Sequence, residues 1–233
     1  SFFVKIIHIA GWSGSGKTRF IVDLCSHLAR LGRTATIKHI ASHHTTLPKG
    51  KDTTLHFEAG AEPAIGIDDE KSFVCSHDIS LDDKLNLLSD MGVSFAVIEG
   101  FKRRPFKKVL IGDLDCEYLL KDPNAGDVLD MLDQFDDWYT LSGLMKELGN
   151  TQGTRSVYSW SGYATDYPEA LILCNNIEKE YATDSRISGI RARVQKWAED
   201  DRHPVFIVMA VSSTNDGTVF SEVLSKVSSC TSE

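Results

Sequence analysis

One octapeptide constrains this chain more than any other feature. Gly11-Trp12-Ser13-Gly14-Ser15-Gly16-Lys17-Thr18 satisfies the spacing GxxxxGK[ST] in full. It follows Val4 to Ala10, a β-prone run, and precedes Phe20, Ile21, Leu24, Leu28 and Leu31 at helical spacing, the strand-loop-helix setting this pattern requires. Glycines let such a loop curl until successive N–H groups point inward at phosphate oxygens, and the helix that starts there adds the positive end of its dipole. Gly11, Ser13, Gly14, Ser15 and Gly16 are therefore expected to cradle a nucleotide, with Lys17 on its β- and γ-phosphates and the Thr18 hydroxyl on Mg²⁺.

The rest of the fold is read outward from that loop. Gly32 stops the helix, and Thr34 to His39 reads as a second strand, so the first forty residues form a βαβ unit with parallel pairing. Helical patterns follow at Thr53 to Ala61 and Leu81 to Met91, and buried strands at Phe95 to Ile98 and Val109 to Ile111. Helices at Ala125 to Phe135 and Thr140 to Leu148 complete the region. This alternation implies an α/β fold of P-loop NTPase type, a mostly parallel sheet with helices on both faces. The polar stretch Gly149 to Gly153 is the expected boundary between a nucleotide-binding domain at 1–150 and a smaller α+β domain at 151–233. In that second domain, Val157 to Ser161, Ala170 to Leu173 and Phe206 to Val211 read as strands. Ile187, Ile190, Val194 and Trp197 read as one helix and Thr218 to Val227 as another.

Composition narrows the function classes. Apolar residues at 42% and charged residues at 25% of 233 residues are ordinary globular usage, and neither repeats nor low-complexity tracts interrupt it. Residues 1–150 carry 17 basic and 22 acidic side chains and residues 151–233 carry 8 and 11, so neither half is a polybasic module for nucleic acid or anionic lipid. Apolar runs fall far short of the roughly 18 residues that cross a bilayer. Lys5 and His8 interrupt Phe2 to Ala10, which is read as a strand and not as a leader. Five cysteines without a CxxC pair encode neither a disulfide framework nor a zinc ribbon; reduced thiols in the cytoplasm are expected.

Several side chains are candidates for chemistry beside the loop. The buried run Phe95 to Ile98 ends in Glu99, the position from which a carboxylate completes a Mg²⁺ site, although an acid there also simply caps a strand. Asp52 either contacts Mg²⁺ or orients water, or it is the N-cap of the helix beginning at Thr53. Lys38, His39, His43 and His44 crowd one stretch and His56 follows. Without a cysteine or carboxylate partner they are read as phosphate or solvent contacts, and no metal beyond Mg²⁺ is expected. Five cations occupy Lys102, Arg103, Arg104, Lys107 and Lys108, either as a grip on a second phosphorylated molecule or as a solvated face. No NKxD tetrapeptide is present, so the residues leave guanine and adenine open.

The order Gly11 to Thr18, Lys38-His39 with His43-His44, Gly50-Lys51-Asp52-Thr53 with His56 and Ala59-Gly60-Ala61, then Ile98-Glu99-Gly100-Phe101-Lys102 resembles the MobB family of molybdopterin-guanine dinucleotide biosynthesis adapters. The resemblance covers about the first 110 residues and departs at Ser94, where members often carry Asp. It implies a homodimeric GTP-binding protein with weak GTPase activity that assists a MobA guanylyltransferase in attaching GMP, with molybdopterin or molybdenum cofactor as a further ligand. Lys17 and Thr18 then serve the nucleotide and Mg²⁺, joined by Glu99, Lys38, His39 and Lys102. Slow hydrolysis is expected, because no arginine finger or water-positioning glutamine is recognisable. A small-molecule or nucleoside kinase that closes Arg103 and Arg104 over phosphate is one rival, and a non-catalytic adapter is another. The tail resembles MoaE, the molybdopterin synthase large subunit, through Gly153, Val157, Trp160 and Gly162 and through Val208 to Phe220. Thr214 and Asn215 stand in place of its His-Arg pair, and the closing stretch of Ser228, Ser229 and Cys230 followed by Thr231, Ser232 and Glu233 lacks the lysine-bearing segment, so an inactive docking or dimerisation module is expected.

Overall fold

The computed structural model describes residues 2–41, 44–198, 201–212 and 217–227. His43, Thr214, Asn215 and the terminal Ser228 to Cys230, which carried expectations above, lie outside them. Strand β1 (Val4–Ala10) runs into the glycine loop and helix α1 (Lys17–Leu28), and β2 (Thr34–Lys38) returns parallel to it. Next come α2 (Asp52–Glu58), a hairpin of β3 (Ala64–Ile67) and β4 (Ser72–Cys75), α3 (Leu81–Asp90) and β5 (Phe95–Glu99). After β6 (Lys108–Leu110) and β7 (Leu120–Lys121) come α4 (Ala125–Asp130), a single 3₁₀ turn at Leu132–Gln134, β8 (Asp136–Trp138) and α5 (Leu141–Gly149).

The main sheet has the order β2-β5-β1-β6-β7, all parallel. The edge of β1 away from β5 is divided. His8 to Ala10 pair with β6, whereas Val4 to Ile6 pair antiparallel with β8. Alternation along β1 builds two cores. Ile7 and Ile9 join Leu24, Leu28, Val97, Val109 and Val128 under α1 and α4, while Val4 and Ile6 join Leu81, Leu85, Ala96, Ile98 and Trp138 under α3. Helices thus cover both faces, as the sequence implied.

The C-terminal part is a three-stranded antiparallel sheet of β9 (Ser156–Ala164), β11 (His203–Val211) and β10 (Ile187–Val194), with α6 (Tyr167–Tyr181) and α7 (Gly217–Val227) on one face. Its central strand is buried on both sides. Val205, Ile207, Met209 and Val211 face α6 and α7, and Phe206, Val208 and Ala210 face Leu144 and Leu148 of α5. The helix preceding the Gly149 to Gly153 stretch therefore packs on the sheet that follows it. Val157, Trp160 and Gly162 all lie on β9.

Two expectations for this region are overturned. Ala170 to Leu173 is not a strand but part of α6. Asp166 caps that helix by accepting from the Glu169 N–H at 2.8 Å, and Ala170, Cys174, Ile177 and Tyr181 form its buried stripe. Ile187, Ile190 and Val194 lie on β10 and not on a helix. Ile190, Ala192 and Val194 are buried with a period of two, and the helical spacing arises because residues 187 and 190 flank a bulge at Ile187/Gly189. Trp197 lies beyond the strand. The helix expected over Ala125 to Phe135 is shorter, ending at Asp130 before the 3₁₀ turn. Among the described residues no helix is long and apolar enough to cross a membrane.

Candidate nucleotide-binding site

The glycine loop leaves β1 and closes on the first turn of α1. Gly14 and Gly16 take φ +78° and +97°, the left-handed region open to glycine at little cost. Gly16 is the N-cap of α1, and no side chain caps the helix, so its first amides remain open toward the loop. Lys17 lies back across the loop, donating from Nζ to the carbonyls of Gly11 at 2.8 Å and Trp12 at 2.5 Å. Ser15 Oγ is buried without a hydrogen-bond partner among the described residues. A hydroxyl with nothing to bond to, set among open amides, fits an anion that brings its own acceptor oxygens.

Parallel register brings the other expected residues to the same end of the sheet. Glu99 is paired with Ile9 on one side and with Lys38 on the other, and its Oε2 stands 3.7 Å from Lys38 Nζ. The His39 amide donates to the Glu99 carbonyl at 2.9 Å, and the His39 ring stacks on Phe101 with centroids 4.9 Å apart. Between them Gly100 turns at φ +89°, and a Cβ there would stand 2.7 Å from the Cβ of His39. Lys102 Nζ then lies 5.3 Å from the centroid of the Trp12 ring, over the glycine loop. Lys17, Thr18, Glu99, Lys38, His39 and Lys102 are thus gathered at the carboxyl ends of β1, β5 and β2, where open α/β sheets take their ligands.

Sequence reasoning missed what holds this turn. His8 is 1% exposed, and its Nε2–H donates to the Gly100 carbonyl at 2.5 Å. Burial pushes its pKa down to about 4 against the opposing pull of the carbonyl, with Lys108 and Arg104 adding to the fall, so the ring is neutral at ordinary pH. Nδ1 is buried and unpartnered among the described residues. The available signal was a polar residue on the inward-facing register of an apolar strand. Adjoining the loop, Gly16, Arg19, Phe20, Asp23, Ile111, Asp122 and Pro123 line a cavity of about 520 Å³. Asp122 sits there at φ +46° with Oδ1 accepting from the Gly112 amide at 2.7 Å.

Other expected residues are not gathered there. Asp52 is the first residue of α2 and exposed, and the N-cap is Lys51, so the capping alternative is corrected. Asp52 lines a separate groove of about 590 Å³ with Pro48, Ile67 and Phe73. His44 and His56 are exposed, and no group of three metal-ligating side chains occurs among the described residues. The five-cation run does not act as one patch. Arg104 pairs with Asp82 at 2.7 Å, Lys107 Nζ donates to the Gln134 carbonyl, and Lys108 Nζ donates to the carbonyls of Arg104 and Phe106. Lys102 and Arg103 are both exposed.

A Methanocaldococcus jannaschii protein named for a molybdopterin-guanine dinucleotide biosynthesis adapter role is 31% identical over 127 residues, 54% of this chain and 52% of that protein. The molybdopterin-guanine dinucleotide biosynthesis adapter protein of Haemophilus influenzae is 33% identical over 114 residues, 46% of this chain and 63% of that protein. The chain therefore spans about half to three fifths of the length of these relatives. The crystal structure of Bacillus subtilis MobB aligns at a TM-score of 0.42 and 23% identity, covering 50% of this chain and 76% of that one. The family model of MobB, molybdopterin guanine dinucleotide synthesis protein B, matches residues 6–125, just over half of the chain. By that match the chain belongs to the MobB family.

Proposed function

We propose that this chain binds a purine nucleoside triphosphate, GTP by family, together with Mg²⁺, and acts as an adapter in molybdopterin-guanine dinucleotide biosynthesis. The observation that carries the reading is the unpartnered Ser15 hydroxyl within a loop whose amides no side chain caps. Gly14 to Thr18 would hold the phosphates, with Lys17 exchanging two backbone carbonyls for phosphate oxygens. Thr18 and Glu99 would hold Mg²⁺, whose charge offsets that of the phosphates. The adjoining cavity, which shares Gly16 with the loop, is of a size to take the nucleoside.

Hydrolysis is proposed to be slow. Arg104 is committed to Asp82 and to the Trp197 carbonyl, which leaves Arg103 as the loop's exposed arginine and weakens the kinase alternative. The partners we infer are a MobA-type guanylyltransferase and its molybdopterin substrate. A homodimer is supported by the β3–β4 hairpin, a two-stranded sheet that leaves Ile65, Ile67, Phe73 and Val74 exposed. Cys25, Cys75, Cys116 and Cys174 are free thiols, in keeping with a cytoplasmic location. For the C-terminal sheet we retain a docking role without sulfur transfer.

Calorimetric titration of the chain with GTP and with ATP, in the presence of Mg²⁺, tests the core of this reading. Saturable uptake is expected that Lys17→Ala abolishes, along with dinucleotide formation in a reaction reconstituted with guanylyltransferase. Absence of uptake at millimolar nucleotide overturns the reading. Maturation that survives the loss of binding assigns the adapter role to protein contacts alone.

A further inference from the structure

The loop that carries Lys102 over the glycine loop is held from the other half of the molecule. Phe101 to Arg104 form a turn closed by the Arg104 amide donating to the Phe101 carbonyl at 2.9 Å, with Lys102 and Arg103 at its two central positions. One end of this turn is fixed at the site, where Phe101 stacks on His39. The other end is fixed by the Arg104 guanidinium, which pairs with Asp82, lies 4.9 Å from the Phe106 ring and donates to the backbone carbonyl of Trp197 at 2.5 Å. Trp197 belongs to the segment that follows β10, outside the family match. Its ring packs with Phe101 against the core beneath β5, and its Nε1–H donates to Asp136 Oδ1 at 3.0 Å. Asp136 in turn accepts the Lys107 amide at 2.7 Å, which secures the far end of the basic run.

We propose that Arg104 and Trp197 are positioning residues for Lys102, and that the C-terminal sheet thereby sets the affinity of the nucleotide site. The inference rests on the nucleotide reading above. A lysine on a free loop gives up side-chain and backbone freedom to meet a phosphate, whereas a lysine on a turn fixed at both ends has little left to lose. Two discrete attachments, one at the site and one on Trp197, supply the contiguous connection that such coupling requires.

The test is titration of the full chain with a fluorescent GTP analogue and Mg²⁺. Trp197→Ala and Arg104→Met should each weaken binding by about tenfold, an ordinary size for coupling between distinct sites. In a Lys102→Ala background the same changes should cost less than about twofold, because the group they position is gone. Arg104→Lys, which keeps a cation for Asp82, should recover part of the loss. Should Trp197→Ala fail to fold, Trp197→Phe keeps a ring in the core while deleting the bond to Asp136, and its smaller penalty should also vanish with Lys102→Ala. A penalty undiminished in the Lys102→Ala background, or none at all in folded variants, overturns the inference. Hydrogen exchange separates this from failure of its premise. Faster exchange across Phe101 to Lys108 in Trp197→Phe is expected with or without nucleotide, and unchanged exchange overturns the strut even if the wild-type chain binds GTP. A wild-type chain that binds no triphosphate overturns both readings of the site.

Discussion

The buried His8 makes stability depend on pH in a way that can be isolated. Its Nε2–H is committed to the Gly100 carbonyl, so a second proton must enter at the enclosed Nδ1, close to the positive charges of Arg104 and Lys108. The folded pKa of about 4 lies below the ordinary 6.5, so between those values the unfolded chain binds more protons than the folded one. Stability from this group is therefore complete above pH 6.5 and is lost as pH falls toward 4. The shift corresponds to about 3 kcal/mol in full, of which about 1 kcal/mol is gone at about pH 6 and about 2 kcal/mol at about pH 5. His8→Gln offers the comparison, since a glutamine amide can keep the bond to Gly100 but does not titrate. Urea denaturation of both chains across this range should show the wild type losing about 2 kcal/mol relative to the variant by about pH 5, with the carboxylates common to both cancelling. A difference that stays flat with pH refutes the buried neutral imidazole and its role under the Glu99–Gly100 turn.

Gly100→Ala should cost about 2–3 kcal/mol by the same assay, because φ +89° and a contact at 2.7 Å with His39 are both intolerant of a methyl group; an unchanged midpoint would argue against this turn. Ser15→Ala should leave the nucleotide-free chain as stable or up to about 1 kcal/mol more so, while weakening triphosphate binding. A loss of stability without loss of binding would mean that Ser15 serves the fold. Ile67→Asp, at a position 81% exposed on the hairpin, should leave a folded monomer in sedimentation equilibrium, and a persisting dimer would move the interface elsewhere. The chain should not convert precursor to molybdopterin with a thiocarboxylated small subunit; detectable product would restore sulfur transfer to the C-terminal sheet.

What could be read without coordinates was what is local or strongly periodic. The strand, loop and helix from Val4 to Leu28 are adjacent in sequence, whereas the parallel pairing expected within the first forty residues is not direct, because β5 lies between β1 and β2. Glu99 was singled out because it ends a buried strand, while Lys38 and Lys102 came with the family resemblance, and parallel register brings Lys38 and Glu99 side by side. Antiparallel structure was poorly visible. The four-residue β3 alternates but buries Ala64 and Gly66 and exposes Ile65 and Ile67, against the hydrophobic order, β4 exposes Phe73 and Val74, and β8 is three residues lodged on half an edge of β1. In the C-terminal part, short apolar runs suit either helix or strand, and neighbouring elements decided between them. The basic run was legible as charge but not as structure, because Arg104 and Lys107 are met by an acid and carbonyls distant in sequence and Lys108 folds back on carbonyls of its own loop.

Helix α5 carries a consequence for how the molecule comes apart. Its apolar side, Leu144 and Leu148, lies against Val208 and Ala210, while Ser142 and Lys146 bond back to Asp90 at the end of α3. A fragment stopped after Gly149 would uncover both leucines, at a cost of about 1.5–3 kcal/mol each. Coupling of that size should make the two portions melt together, so a calorimetric scan of the intact chain should trace one transition whose calorimetric and van't Hoff enthalpies coincide. Two separate transitions would instead keep the Gly149 to Gly153 stretch as a boundary between independently folding domains.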